Sequence, residues 1–146
     1  MVKIIDSHKP LSVKEIEQFE NTHNVKFTEL YRKFLLDNNG GYAVPNVFNV
    51  SDDQGESVLN AIYGIGDMYD SLEDFIDIYE GRLPEGFIPI ADDSNGNVIC
   101  LGTDKKYYEK LYFWDHEKEA EDMSNMYFLA NNIYEFLDSL YEDTDS

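Results

Sequence analysis

In SVKEIEQFENTH, residues 12–23, apolar side chains recur at Val13, Ile16 and Phe19 among polar ones, the spacing that gives a helix one buried face. Ser12 and Glu15 form a capping box, in which two side chains satisfy amides that the first helical turn leaves unpaired. TELYRKFLLDNNGG predicts a second helix, capped by Thr28, with Leu30, Phe34 and Leu35 inward and Asn39-Gly40-Gly41 as its stop. SLEDFIDIYEG predicts a third, capped by Ser71, apolar at Leu72, Phe75, Ile76 and Tyr79, and closed by Gly81. NNIYEFLDSLYE predicts the last, with Ile133, Phe136, Leu137, Leu140 and Tyr141 as its stripe.

Strand signals lie between the helices. FIPIADDSNGNVICLG holds two apolar runs joined through Asn95-Gly96, a dipeptide suited to a tight hairpin turn. LYFWD, residues 111–115, predicts a third strand and NVFNV, residues 46–50, a shorter one. The order helix, helix, strand, helix, strands, helix lacks the regular alternation of a parallel βαβ fold. It predicts an α+β domain: a central antiparallel sheet packed with about four helices. No internal repeat or linker interrupts residues 1–146, so one domain is expected.

Composition narrows the class. Hydrophobic residues make up 42% and aromatics 14% of the 146 residues, enough apolar surface for a real core. No apolar run approaches the roughly 20 residues of a membrane span. Asp6 and His8 stand where a signal peptide needs an apolar stretch, so a cytoplasmic protein is expected. With Cys100 as the single cysteine, an internal disulfide and a thiolate zinc cluster are both excluded.

Charge changes the picture most. Thirty acids face eleven lysines and arginines, for a net charge of −19, and no basic residue occurs between Lys33 and Arg82. Direct nucleic-acid binding is opposed by such a field, because that affinity comes from cations neutralising phosphates. A basic protein partner is attracted by it; the plain alternative is charge that serves only solubility.

The usual catalytic constellations are missing. Gly64-Ile65-Gly66 opens like a dinucleotide fingerprint, but Tyr69 replaces its third glycine. DDSNGN resembles part of a calcium loop, yet with Gly96 as the loop glycine the two anchoring positions fall on Ala91 and Gly102. His8, His23 and His116 are scattered, and Cys100 sits mid-strand as a small buried hydrophobe. Asp92, Asp93, Asp104, Asp115, His116 and Glu117 remain. If their strands are neighbours, these residues converge as an acid/base or divalent-cation cluster; alternatively they close turns and strand ends by bonding the backbone. No cofactor or metal is expected.

Taken together, these segments resemble the SUKH superfamily, the family of the Smi/Knr cell-wall-assembly regulators. The resemblance runs through Glu15, Ile16, Phe19, Glu20, Leu30, Tyr31, Phe34, Leu35, Asn39, Gly40 and Gly41, then FIPIADDSNGN, LYFWDHE and the closing NNIYEFLDSLYE. Thr28-Glu29 departs from the Leu-Pro that many members carry before the second helix. The resemblance implies an α+β domain with a central antiparallel sheet and, for a stand-alone bacterial member, an immunity protein that binds and blocks a toxin of its own cell, often a nuclease. Fungal relatives act instead in cell-wall signalling, so a non-enzymatic regulatory adaptor is the alternative. The family carries no established catalytic residues.

A partner of basic character directs attention to the acidic residues. Asp52, Asp53, Glu56, Asp70, Glu73, Asp74 and Asp77 are the expected contact residues, with Asp70/Asp74 and Glu73/Asp77 four apart on the predicted third helix. Tyr63, Tyr69 and Trp114 are candidate aromatic anchors, Trp114 being equally readable as core. Asp115 and His116 are carried as further candidates for partner contact.

Overall fold

The computed structural model describes residues 2–118 and 123–142. Two strands, β1 (Lys3–Ile5) and β2 (Tyr42–Val44), pair as a small antiparallel ribbon. Six more form the main sheet: β3 (Val47–Ser51), β4 (Gly55–Ile62), β5 (Phe87–Asp93), β6 (Val98–Gly102), β7 (Leu111–Trp114) and β8 (Met126–Ala130). They lie side by side in chain order, each antiparallel to the next. Four helices accompany them: α1 (Val13–His23), α2 (Glu29–Asp37), α3 (Leu72–Tyr79) and α4 (Ile133–Asp138). The α+β architecture predicted from the pattern is the one observed.

Sheet parity divides the interior in two. On one face Leu59, Ile90, Ile99, Leu101, Leu111 and Phe113 meet Ile16 and Phe19 of α1, Tyr31, Phe34 and Leu35 of α2, and Phe136 and Leu137 of α4. On the other, Phe87, Val98, Cys100, Trp114 and Met126 form a smaller cluster beneath Tyr79 and Leu83. Strand β6 is therefore apolar on both sides and wholly buried, which is why VICLG reads as a continuous apolar run. Trp114 is 0% exposed, with its ring edge-on to Tyr79 at 5.5 Å, so it is core. Cys100 is equally buried, and burial pushes its thiol far above the ordinary value, as expected of a small hydrophobe.

The helix ends differ in how they are satisfied. In α1 the capping box forms as predicted: Glu15 N donates to Ser12 Oγ at 3.1 Å and Ser12 N to Glu15 Oε1 at 3.0 Å. Thr28, by contrast, makes no cap bond to α2. The loop between β6 and β7 replaces it: Glu29 N donates to Tyr108 OH at 3.2 Å and Leu30 N to the buried Glu109 Oε2 at 2.8 Å, 79 residues away in sequence. Ser71 makes no side-chain cap to α3 either; Leu72 N donates to Gly64 O at 2.7 Å instead. Helix α4 ends at Asp138, short of the predicted stripe, and Tyr141 turns back to exchange two backbone hydrogen bonds with Val47. That exchange covers part of the outer edge of β3, which would otherwise offer unpaired amides.

Four strands were not anticipated: β1, β2, β4 and β8. β4 does alternate, with Ser57, Leu59 and Ala61 inward, but the small and polar Ser57 and Ala61 weaken its apolar signal. The others are only three to five residues long.

Candidate partner-binding surface

Helix α3 is amphipathic, and its two sides do different work. Leu72 is buried, and Phe75 stacks on Tyr63 with ring centroids 4.0 Å apart and planes within 4°. Holding that side against the sheet turns Glu73, Asp74 and Asp77 to solvent. Tyr69, in the loop leading to the helix, is 92% exposed, and Ile78 is 53% exposed. Asp70 precedes the helix, half-buried beside Tyr42, whose hydroxyl donates to it at 3.3 Å; its negative charge pushes the Tyr42 phenol up. The predicted pairing of Asp70 with Asp74 on one helix side therefore does not occur, since α3 begins at Leu72.

The remaining acids of the stretch lie elsewhere. Asp52 and Asp53 are exposed at the turn between β3 and β4, and Glu56 accepts a hydrogen bond from Tyr141 OH. Between that turn and Asp70 runs the whole eight-residue β4, on the order of 25 Å of extended chain. The acidic stretch is thus two surfaces, a hairpin tip and a helix face. Tyr63 is 0% exposed and, with Trp114, leaves the set of candidate anchors; Tyr69 stays in it.

The polar strand ends do not converge as one cluster. Asp93 is 4% exposed and accepts from Ser57 Oγ at 2.7 Å, Asn95 N at 2.9 Å, Asn97 N at 2.7 Å and Asn97 Nδ2 at 3.0 Å. It is the hub of the Asn-Gly turn, the backbone-bonding role open to it from sequence. Asp92 points away from it and accepts from Asn60 Nδ2 at 3.0 Å, Ala61 N at 3.1 Å and Tyr63 OH at 3.0 Å. Burial pushes the Asp92 carboxyl up, and these hydrogen bonds oppose the rise. Asp104 follows the far end of β6 and bonds Tyr107 N at 3.1 Å. Asp115, 7% exposed, accepts from Glu117 N at 3.0 Å, while His116 Nδ1 lies 2.6 Å from Asn97 Oδ1. His116 thus ties the end of β7 to the β5–β6 turn, while Asp115 bonds Glu117 and, through its backbone, Asn125. Asp115 is interior, a correction to its candidacy as a contact residue; His116 is half-buried. Among the described residues, no three His, Cys, Asp or Glu side chains form a set suited to a metal ion.

The other signature residues are also joints of the fold. Arg32 Nη2 donates to both oxygens of the buried Glu20, at 2.6 and 2.7 Å, and Phe27 N donates to the same carboxylate at 2.8 Å. Asn39 Nδ2 donates to Lys9 O at 2.8 Å and Ile65 O at 2.9 Å, and Asn39 Oδ1 accepts from Ile65 N at 2.8 Å. Gly40 has φ +71° and lies so close to the chain at Gly64 that a Cβ would sit 2.9 Å from Gly64 N. Only glycine suits both demands. Sequence reasoning missed Tyr108 and Glu109: nothing local in DKKYYEK says that the loop will cap a distant helix.

These joints, in this order along a six-stranded antiparallel sheet, define a class. Residues 10–139 match the SMI1 / KNR4 family (SUKH-1), and the chain belongs to that family. It is also 37% identical over 86 residues to the SPbeta prophage-derived uncharacterized protein YokK of Bacillus subtilis (strain 168), a stretch covering 59% of this chain and 43% of that protein. Among the described residues, no helix is long and apolar enough to cross a membrane.

Proposed function

We propose that this chain is an immunity protein: a single cytoplasmic domain that binds and neutralises a cognate toxin carrying a basic nuclease domain. It acts by occupying the toxin's phosphate-binding surface, not by catalysis. The observation that carries the reading is the solvent face of α3, where Glu73, Asp74 and Asp77 lie exposed in a stretch without a cation from Lys33 to Arg82. A nuclease must hold phosphates with Lys and Arg, and an acidic inhibitor competes for those same groups. Membership of the SUKH-1 family and a relative of prophage origin support this reading.

Contact centres on Glu73, Asp74, Asp77 and Asp70, with Tyr69 as the apolar anchor inside a charged rim; Asp52 and Asp53 form a separate, second acidic surface. The test is affinity capture from lysate of the source cell at low and moderate salt, with captured proteins identified. A single basic partner retained at moderate salt, whose toxicity in growing cells is suppressed by co-expression of this chain, is the expected result. Recovery of wall-synthesis or signalling proteins instead supports the regulatory adaptor.

A further inference from the structure

Beside the exposed face of α3 lies a cleft of about 360 Å³ between α3, the end of α1 and the start of β5. Its walls include the partly buried apolar Val25, Ile76 and Leu83, and its rim carries Asp77, Glu80 and Glu85, all exposed. Two helices end at it: α1 at His23, with Asn24 in the left-handed conformation (φ +53°), and α3 at Tyr79, followed by Gly81 at φ +78°. Each helix C-terminus presents a partial negative charge of roughly half an electron. Carboxylates and helix ends thus both border a cavity whose lining is part apolar and part polar. Lys26 and Arg82, each next in sequence to a lining residue, do not themselves line the cleft; the Arg82 guanidinium lies over the rings of Tyr79 at 5.0 Å and Trp114 at 5.5 Å. His23 Nε2 lies 3.8 Å from Glu73 Oε1 on α3.

We infer that this cleft receives an arginine side chain from the protein partner. An arginine has both properties the cleft asks for: an aliphatic stem to lie along Val25, Ile76 and Leu83, and a fixed, planar charge to meet Asp77, Glu80 and Glu85. Phosphates and acidic peptides are excluded by the same field. The assignment deepens the toxin reading, because it names the group by which a basic partner is held, and it rests on that reading only for the partner's identity.

The test needs no toxin. The isotope-labelled full chain is titrated with acetyl-Gly-Arg-Gly-amide and, in parallel, with the citrulline peptide, which keeps the shape and loses the charge. Amide NMR shifts concentrated at Val25, Ile76, Gly81 and Gly86 are expected with arginine, saturating at a dissociation constant on the order of a millimolar, and absent with citrulline. Asp77→Asn, Glu80→Gln and Glu85→Gln together should weaken the arginine peptide by about tenfold, with the spectrum otherwise preserved to show an intact fold. Shifts spread over Asp52, Asp53 and α3 alike, equal effects of magnesium chloride at the same charge concentration, or no saturation would overturn the assignment. The two readings fail separately. A chain that captures arginine but protects no cell from any basic partner loses the toxin reading and keeps the cleft. One that protects cells yet shows no localised arginine binding loses the cleft alone.

Discussion

The β5–β6 turn and the outer face of α3 are both rich in carboxylates, yet the two regions use them in opposite ways. At the turn, Asp93 is buried and accepts hydrogen bonds from the backbone amides of Asn95 and Asn97 and from the Ser57 and Asn97 side chains. On α3, Glu73, Asp74 and Asp77 are exposed, and His23 Nε2 approaches Glu73 Oε1 to 3.8 Å. An acid that satisfies buried amides holds the fold. An acid left in water, with no partner of its own, contributes little to stability and remains available to another molecule. A carboxylate-bearing motif is therefore not by itself a contact surface: in Asp-Asp-Ser-Asn-Gly-Asn, Asp92 and Asp93 are architecture.

Substitutions should separate the two regions on stability. Asp93→Ala leaves the buried Ser57 hydroxyl and three part-buried donors of Asn95 and Asn97 without their acceptor and should cost about 2–4 kcal/mol, read by urea denaturation. A loss below about 1 kcal/mol would erase the distinction drawn here. Next comes Glu109→Ala, which removes the distant cap of α2 and should cost about 1–2 kcal/mol. Thr28→Val, at the position expected to cap that helix, should be near neutral, because its buried hydroxyl has no partner among the described residues. If Thr28→Val were the more damaging of the two, the loop would not be the cap.

Charge reversal at Glu73, Asp74 and Asp77 to Lys belongs at the small end for stability, within about 0.5 kcal/mol per site, while weakening capture of a basic partner at least tenfold at low salt. Capture unchanged in moderate salt would move the interface off α3. The smallest effect is a slope. Asp92 has its carboxyl raised in the folded state, chiefly by burial, so the folded chain holds that proton more tightly than the unfolded chain does. Stability should therefore fall as pH rises from the ordinary aspartate value through the raised one, and Asp92→Asn should flatten that part of the pH–stability curve. An unchanged curve would mean that Asp92 ionises as readily in the fold as out of it.

Much of the fold is legible from local chemistry. The helices of residues 13–23 and 72–79 follow from apolar spacing, and Ser12 with Glu15 caps the first as its motif requires. The hairpin around Asn95-Gly96 is equally local. Legibility fails where the deciding contact is remote. Tyr108 and Glu109 cap α2 from across the chain, and Tyr141 leaves its helical stripe because Val47 offers it strand hydrogen bonds. β4 is hidden because its inward face is built partly of Ser57 and Ala61, one bonded to Asp93 and the other small. Of the acidic stretch, the sequence shows its charge but not its division into a hairpin tip and a helix face.

By itself, then, the sequence determined the α+β class, the amphipathic α3 and the excess of negative charge, all properties of composition and short-range spacing. Tertiary structure decided which carboxylates remain free. Whether an aspartate meets water or a protein donor can depend on segments tens of residues away, as Asp92 does on Ala61 N and Tyr63 OH and Asp93 on the Ser57 hydroxyl, and no local pattern encodes those meetings.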